Sequence, residues 1–140
     1  MTPTAKMMFV RIKPNELTPR QRKTWKFHKL ASRLADYGFS CIRLSDGWQG
    51  ADFIACHIDS SFFKVRLETR LHIERRYSGK ELFIAFSENN RWYIYPHDQL
   101  RDELLDMGYM SGTLSWEDRG IYNWPGLTQR LAEHMEKYVI

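Results

Sequence analysis

The chain has 140 residues, of which 43% are hydrophobic and 27% charged, and its formal net charge at pH 7 is +4. This length is typical of one domain with its own core, and we predict a single domain over residues 1–140. No apolar run approaches the roughly 18 residues of a membrane-spanning helix, and the N-terminus lacks the apolar segment and cleavage site of a signal peptide. These absences predict a cytoplasmic protein without a membrane partner.

The cysteine and motif content excludes several kinds of site. Cys41 and Cys56 are the only cysteines, and both lie in apolar runs, which predicts buried free thiols. A zinc site is not expected, because no C-x-x-C or H-x-x-x-H pair is present. A P-loop, a dinucleotide fingerprint and a G-x-S-x-G elbow are also absent, so nothing in the sequence supports an enzyme of small molecules.

The first predicted element is a helix that begins at residues 18–21. Thr18 can cap this helix, with Gln21 completing a capping box, and Pro19 suits its first turn. Apolar residues at helical spacing follow until Gly38, where we expect the helix to end. The other side of the helix is basic and carries Arg22, Lys26, Lys29 and Arg33. In a mildly basic chain this stripe is either a solvated surface or a nucleic-acid-binding face.

Strands are predicted next, because β-branched and aromatic runs alternate with turn formers. The runs lie at residues 40–45, 51–58, 62–71, 81–87 and 91–96. The last two form a predicted hairpin around residues 88–90. Since residues 51–58 and 81–87 are almost continuously apolar, we expect both faces of the sheet to be covered.

Two more helices complete the predicted elements. One runs from His97 to Gly108, with His97 or Asp98 as its cap, and the other begins at Pro125. Residues 109–124 show no helical or strand period and predict a packed aromatic loop.

The predicted fold class is α/β, with a central mixed sheet of about five strands flanked by helices. The core of this domain is predicted over residues 18–108. The aromatic loop 109–124 and the C-terminal helix 125–140 are expected to pack on it.

Charges of both signs lie on the predicted hairpin of residues 51–71. Asp52 opens its first strand, and Arg66, Glu68 and Arg70 alternate with apolar residues in the second. If residues 59–61 form a three-residue turn, Asp52 faces Glu68 and the two carboxylates are about 5 Å apart at the Cβ atoms. Arg66 and Arg70 then flank the pair.

A two-residue turn at residues 59–60 would instead place Asp52 opposite Leu67, on the other face of the sheet from Glu68. The turn length therefore decides whether the two acids meet. Carboxylates that close together share a proton, take flanking cations or hold a divalent metal.

The sequences GADFIA, KVRLETR and ELFIAF, preceded by a basic helix, resemble the PD-(D/E)XK nuclease superfamily, which includes restriction endonucleases and Holliday junction resolvases. The resemblance covers residues 21–87 and extends to small bacterial proteins of this type. It implies a restriction-endonuclease-like fold and cleavage of DNA phosphodiesters with Mg²⁺, for which Mn²⁺ can substitute.

The motif departs from the superfamily pattern at its most characteristic residue. Asp52 matches the motif Asp, but Arg66 stands where the superfamily has Glu or Gln, and Glu68 stands where it has Lys. A shift by two positions makes Glu68 the acid and puts Arg70 in place of the Lys. In both alignments the lysine is missing, and arginine differs from it because its guanidinium is planar and stays protonated. The first helix has no acid between Gln21 and Ala35.

The resemblance implies that Asp52, Glu68, Arg66 and Arg70 are catalytic, with Asp52 and Glu68 as the Mg²⁺ ligands. The expected nucleic-acid-binding residues are Arg22, Lys26, Lys29, Arg33, Gln49 and Lys64. Next to Gln49, Trp48 either stacks on a base or plugs the end of the sheet.

Three functions follow from these residues. The first is a Mg²⁺-dependent DNA endonuclease. The second is a non-catalytic module of the same fold that binds nucleic acid or protein. The third is an interaction protein whose aromatic loop 109–124 docks a partner or a second copy, giving a homodimer.

Overall fold

The computed structural model describes residues 8–140. In this range the α-helices are α1 (Pro19–Ala35), α2 (His97–Asp106) and α3 (Gln129–Met135). The strands are β1 (Phe39–Trp48), β2 (Ala51–His57), β3 (Phe62–Leu67), β4 (His72–Glu74), β5 (Leu82–Glu88), β6 (Arg91–Pro96) and β7 (Ile121–Asn123). No helix within residues 8–140 has both the length and the apolar character needed to cross a membrane.

Five of these strands form one mixed sheet in the order β1-β2-β3-β5-β6, and β4 pairs with β7 in a separate ribbon. β3 and β5 run parallel, whereas the other neighbours in the large sheet are antiparallel. The prediction of an α/β fold with a mixed five-stranded sheet flanked by helices is confirmed. Because parallel strands point the same way, the carboxyl ends of β3 and β5 lie side by side at the same end of the sheet.

Helix α1 begins as its sequence predicts. The Thr18 hydroxyl accepts a hydrogen bond from the Gln21 N–H at 3.2 Å, and the Gln21 side chain accepts one from the Thr18 N–H at 2.9 Å. Phe27, Leu30 and Leu34 pack on the face of the sheet formed by β2 and β3. This packing leaves the basic stripe of α1 outside the core.

The opposite face of the sheet is covered by α2, α3 and the segment between them. Trp116 and Trp124 of this segment are only 8% and 7% exposed and belong to the core. The segment forms a π-helical turn at Ser115–Arg119 and then β7, so it is more regular than predicted. Helix α3 begins at Gln129 rather than at Pro125, because the Thr128 side chain caps it by accepting the Leu131 N–H.

The sheet is covered on both faces at β5 but not at β1. Ile84 and Phe86 of β5 are buried on one face and Ala85 is buried on the other, in agreement with the apolar run. Ile42 of β1 and Phe62 of β3 are 58% and 63% exposed, because the helices on the face opposite α1 contact β5 and β6. The expectation of complete coverage is therefore wrong for the β1 side. Cys41 and Cys56 lie in this half of the sheet as half-buried free thiols, and burial raises the pKa of Cys41 to about 11.

Several strand ends differ from their predicted positions, and β1 continues to Trp48 instead of residue 45. β3 ends at Leu67 instead of residue 71, because the chain leaves the sheet and buries Leu71 on the other face. The β5–β6 hairpin turns on Asn89 and Asn90 alone, and their φ angles of 53° and 63° suit a tight two-residue turn.

His97 is a buried structural residue and not the helix cap that its position predicts. Its side chain is 1% exposed, and its Nε2 accepts the Glu74 N–H at 3.0 Å. Nδ1 therefore carries the proton and donates to Asp98 at 2.9 Å. Burial lowers the pKa of His97, although the hydrogen bond to Asp98 opposes the shift. The neutral ring joins α2 to β4.

We expect the free energy of unfolding to decrease as the pH falls from 7 to 5, and His97→Gln to flatten this decrease. The folded protein disfavours the protonated His97 ring, so the unfolded chain binds the proton more readily below its ordinary pKa of about 6.5. Urea denaturation across this pH range measures the effect.

His28→Gln is the matched control, because His28 is exposed on α1. An equal pH dependence for wild type and His97→Gln would contradict the assignment of a neutral buried ring.

Candidate nucleic-acid interface

The β2–β3 hairpin has a three-residue turn, but it lies one position earlier than predicted. The His57 N–H donates to the Ser61 carbonyl at 2.8 Å, so the turn is formed by residues 58–60. The ladder then runs from Cys56 opposite Phe62 to Phe53 opposite Val65. The predicted turn at residues 59–61 is therefore wrong.

This register shift changes which charged residues meet. Continued by one position, the ladder puts Asp52 level with Arg66 and not with Glu68. Because the register moves by two residues and not by one, the side chains of Asp52, Arg66 and Glu68 still share one face of the sheet. The predicted direct opposition of two carboxylates is replaced by an acid opposite a cation.

Asp52 lies where β2 and β3 separate, and each of its two carboxylate oxygens has a partner. Its Oδ2 accepts the Leu67 N–H at 2.8 Å, which joins the end of β3 to β2 beyond the last ladder pair. Its Oδ1 lies 2.9 Å from Lys23 Nζ of α1. The carboxylate therefore connects two strands and the helix, and its side chain is only 18% exposed.

Glu68 is paired with Arg66 two residues earlier. Arg66 Nε donates to Glu68 Oε1 at 2.8 Å, and Arg66 Nη1 donates to the Gly50 carbonyl at 3.2 Å. The guanidinium carbon also lies 5.2 Å from the centroid of the Tyr77 ring. Burial works against the charged form of Arg66, but the hydrogen bond and charge of Glu68 outweigh it and raise the pKa of Arg66. The guanidinium is a fixed positive charge with little freedom to move.

A cleft of about 260 Å³ opens between the first turns of α1 and the end of β3. The side chains that line it include Arg22, Lys23, Lys26, Arg66 and Glu68. Burial and the nearby charge of Arg22 lower the pKa of Lys26. The cations of the cleft thus crowd one another, while Asp52 and Glu68 are already paired, so the cleft favours an anion.

The donor set does not fit a Mg²⁺ centre. Both oxygens of Asp52 are engaged, by Lys23 and by the Leu67 N–H, and Glu68 Oε1 is engaged by Arg66. Mg²⁺ requires a near-octahedral shell of oxygen ligands, with carboxylates free to join it. Within residues 8–140 no group of three or more potential ligands is placed to hold a metal ion. The assignment of Asp52 and Glu68 as metal ligands stays a prediction that this arrangement does not favour.

The predicted nucleic-acid-binding residues fall into two separate groups. Arg22 and Lys26 line the cleft, and Lys29 and Arg33 continue the same stripe along α1. Gln49 and Lys64 lie elsewhere and bind each other, with Lys64 Nζ 2.5 Å from Gln49 Oε1.

Lys64 is directed to the face of the sheet opposite α1, because the next residue, Val65, is buried beneath α1. Its Nζ lies 5.1 Å from the centroid of the Trp48 ring. Trp48 is 49% exposed, so it does not plug the end of the sheet. Arg70 is exposed beyond the end of β3 and does not line the cleft.

Lys23 is the site residue that the sequence analysis missed. It lies one residue after Arg22 and three before Lys26, so helical spacing alone places it near the boundary between the basic stripe and the buried side of α1. Only the crossing of α1 over the end of β3 brings its ammonium to Asp52.

No protein-family model matches the chain, and no curated protein matches it. Among solved structures, the chain is similar to Hjc, a Holliday junction resolvase from the archaeal hyperthermophile Archaeoglobus fulgidus. The likeness has 17% sequence identity and a TM-score of 0.40, and it covers 49% of this chain and 74% of that chain. The side chains of the cleft, and not this likeness, carry the functional proposal below.

We expect Asp52→Ala to destabilise the protein by about 1–3 kcal/mol, because it leaves the Leu67 N–H without its acceptor. Lys23→Ala should cost less than about 1 kcal/mol, since the Lys23 side chain is 44% exposed and its ion pair is screened by solvent. Equilibrium urea denaturation measures both variants.

Asp52→Asn is the control, because it removes the charge and keeps an oxygen for the Leu67 N–H. This order would be contradicted if Lys23→Ala lowered the free energy of unfolding as much as Asp52→Ala does. The ion pair would then be the main contribution of Asp52 to stability.

Proposed function

We propose that this chain is a DNA-binding protein that holds the phosphate backbone in the cleft between α1 and the end of β3, without cutting it. One observation carries the proposal. Four cations, Arg22, Lys23, Lys26 and Arg66, line one cleft. The lining acid Glu68 is paired with Arg66, and the neighbouring Asp52 is paired with Lys23. Such a site attracts a polyanion, because its cations outnumber the acids and each acid already has a cation beside it.

The positions of the cations support phosphate binding. Arg22 is oriented by hydrogen bonds from Nε to the Pro14 carbonyl at 3.1 Å and from Nη2 to the Leu17 carbonyl at 3.0 Å. Lys26 makes no ion pair within residues 8–140. A phosphate between the two side chains would offset their mutual repulsion and accept hydrogen bonds from both. Because Lys23 and Arg66 are neutralised by Asp52 and Glu68, the net positive charge of the cleft comes from Arg22 and Lys26.

The resemblance to the PD-(D/E)XK superfamily supports a nucleic-acid partner. The pairing of Asp52 with Lys23 and of Glu68 with Arg66 favours binding over cleavage. The basic stripe of α1 supplies a surface beyond the cleft on which a longer polyanion can continue.

We expect the protein to bind a fluorescent DNA duplex with an affinity that falls linearly with salt on a logarithmic scale. Each phosphate contact releases counterions, so Arg22→Gln and Lys26→Gln should each weaken binding and reduce the salt slope by about 0.9. Fluorescence anisotropy at several NaCl concentrations measures both quantities.

Arg119→Gln is the matched control, because it removes the same charge from the exposed turn Ser115–Arg119, outside the cleft. The three variants share one net charge, so an equal loss in all of them would show that total charge and not the cleft attracts DNA.

A cleavage assay separates this proposal from the nuclease interpretation. We expect plasmid and junction DNA to remain intact with Mg²⁺ or Mn²⁺ at protein concentrations that saturate binding. Cleavage that disappears in Asp52→Asn would overturn the non-catalytic proposal and assign Asp52 to a working active site. Cleavage that survives in Asp52→Asn would indicate a contaminating nuclease.

A further inference from the structure

The basic stripe of α1 extends beyond the cleft, past the carboxyl ends of β3 and β5. The ends of β3 and β5 are adjacent because these strands are parallel neighbours. Arg22 and Lys26 lie near the end of β3, whereas Lys29 and Arg33 lie near the end of β5. From Arg22 to Arg33 the helix rises by about 16 Å, which is long enough to follow several phosphates of one strand.

A second cleft lies at the far end of this stripe. It has a volume of about 420 Å³ and is formed by the later turns of α1 and the β5–β6 hairpin. The lining residues are Trp25, Lys29, Arg33, Ser87, Glu88, Asn89, Asn90 and Trp92. Unlike the first cleft, it combines indole rings with cations and side-chain amides.

Trp25 is the exposed aromatic residue of this cleft. Its side chain is 37% exposed, whereas Trp92 on the other wall is 8% exposed and packs in the core. Lys29 Nζ lies 5.6 Å from the centroid of the Trp25 ring. A large indole ring kept at the surface beside a cation is suited to stacking on a flat ring whose phosphate is bound nearby.

Two side-chain amides, those of Asn89 and Asn90, line the same cleft as Trp25. Asn89 and Asn90 adopt left-handed backbone conformations in the tight hairpin turn, so their amides are held on a short, rigid segment. Side-chain amides both donate and accept hydrogen bonds. The one acid of the cleft, Glu88, accepts the Leu127 N–H at 3.3 Å and thereby holds the chain that leads to α3.

We propose that Trp25 stacks on an unpaired base of a DNA strand whose phosphates follow the α1 stripe, so that the protein prefers single-stranded or locally unpaired DNA to a duplex. This inference rests on the proposed function, because the first cleft supplies the phosphate contacts. In a duplex each base is stacked on its neighbours and paired, so its face is not available to Trp25. An unpaired strand presents that face.

The test compares the binding of an unstructured oligothymidine and of a duplex, by fluorescence anisotropy at fixed salt. We expect wild type to bind the single strand more tightly than the duplex. The affinity of Trp25→Ala for the single strand should be roughly tenfold lower than that of wild type. Its affinity for the duplex should stay within about twofold of wild type. Trp25→Phe, which keeps an aromatic ring, should recover part of the loss.

Phe62→Ala is the matched control, because Phe62 is also an exposed aromatic residue, but it lies at the start of β3, away from the stripe. It should bind both DNAs as wild type does. An oligonucleotide with abasic sites should bind wild type as weakly as the intact strand binds Trp25→Ala, since both remove one partner of the stack. Circular dichroism melting verifies that each variant is folded.

The outcomes separate this inference from the proposed function. Unchanged binding of the single strand by Trp25→Ala, or equal losses on both DNAs, would overturn the stacking role. The phosphate-binding proposal would still stand if Arg22→Gln and Lys26→Gln reduce the salt slope. Absence of binding to either DNA would overturn both.

Discussion

The carboxylate of Asp52 is the contact on which the arrangement of this surface depends. It lies where β2 and β3 stop pairing, accepts the N–H of Leu67 in place of a strand partner, and pairs with Lys23 of α1. A backbone N–H left without a partner in this half-buried place would cost free energy, and the carboxylate satisfies it. The same group therefore ends the hairpin ladder and brings Lys23 of α1 to the end of β3, while apolar packing holds the helix on the sheet.

The balance of charge around Asp52 determines which kind of ligand the surface attracts. Each carboxylate has its own cation, and Arg22 and Lys26 add positive charge that no acid within the first cleft offsets. The net charge of this cleft is therefore positive, which supports the proposal of a phosphate ligand. Helix α1 serves two purposes at once, because Phe27, Leu30 and Leu34 hold it on the sheet while its basic stripe faces the clefts.

The main elements of the fold follow from local patterns. The capping box at Thr18 and Gln21, the apolar stripe of α1 and the alternating runs of the strands each specify an element from neighbouring residues, and they predict the α/β sheet. The basic stripe is also visible in the sequence, because helical spacing alone places Arg22, Lys26, Lys29 and Arg33 together. These features depend on periodicity, which a sequence displays directly. His97 shows the limit of this approach, since its position beside Pro96 indicates a cap and its buried contact with Glu74 comes from a distant strand.

The sequence by itself determined the three helices, the five strands of the large sheet, their order along the chain and the basic side of α1, but not the β4–β7 ribbon. The tertiary structure decided which charges meet. A turn at residues 58–60 instead of 59–61 moves the hairpin register by two residues and brings Asp52 level with Arg66, and two turns that differ by one position are not distinguished by residue preferences alone. The pairing of Lys23 with Asp52 and the cleft of Trp25 with Asn89 likewise require α1 to cross the adjacent ends of β3 and β5. The physical reason is that these contacts join residues far apart in the chain, and only the packing of helix on sheet fixes their separation.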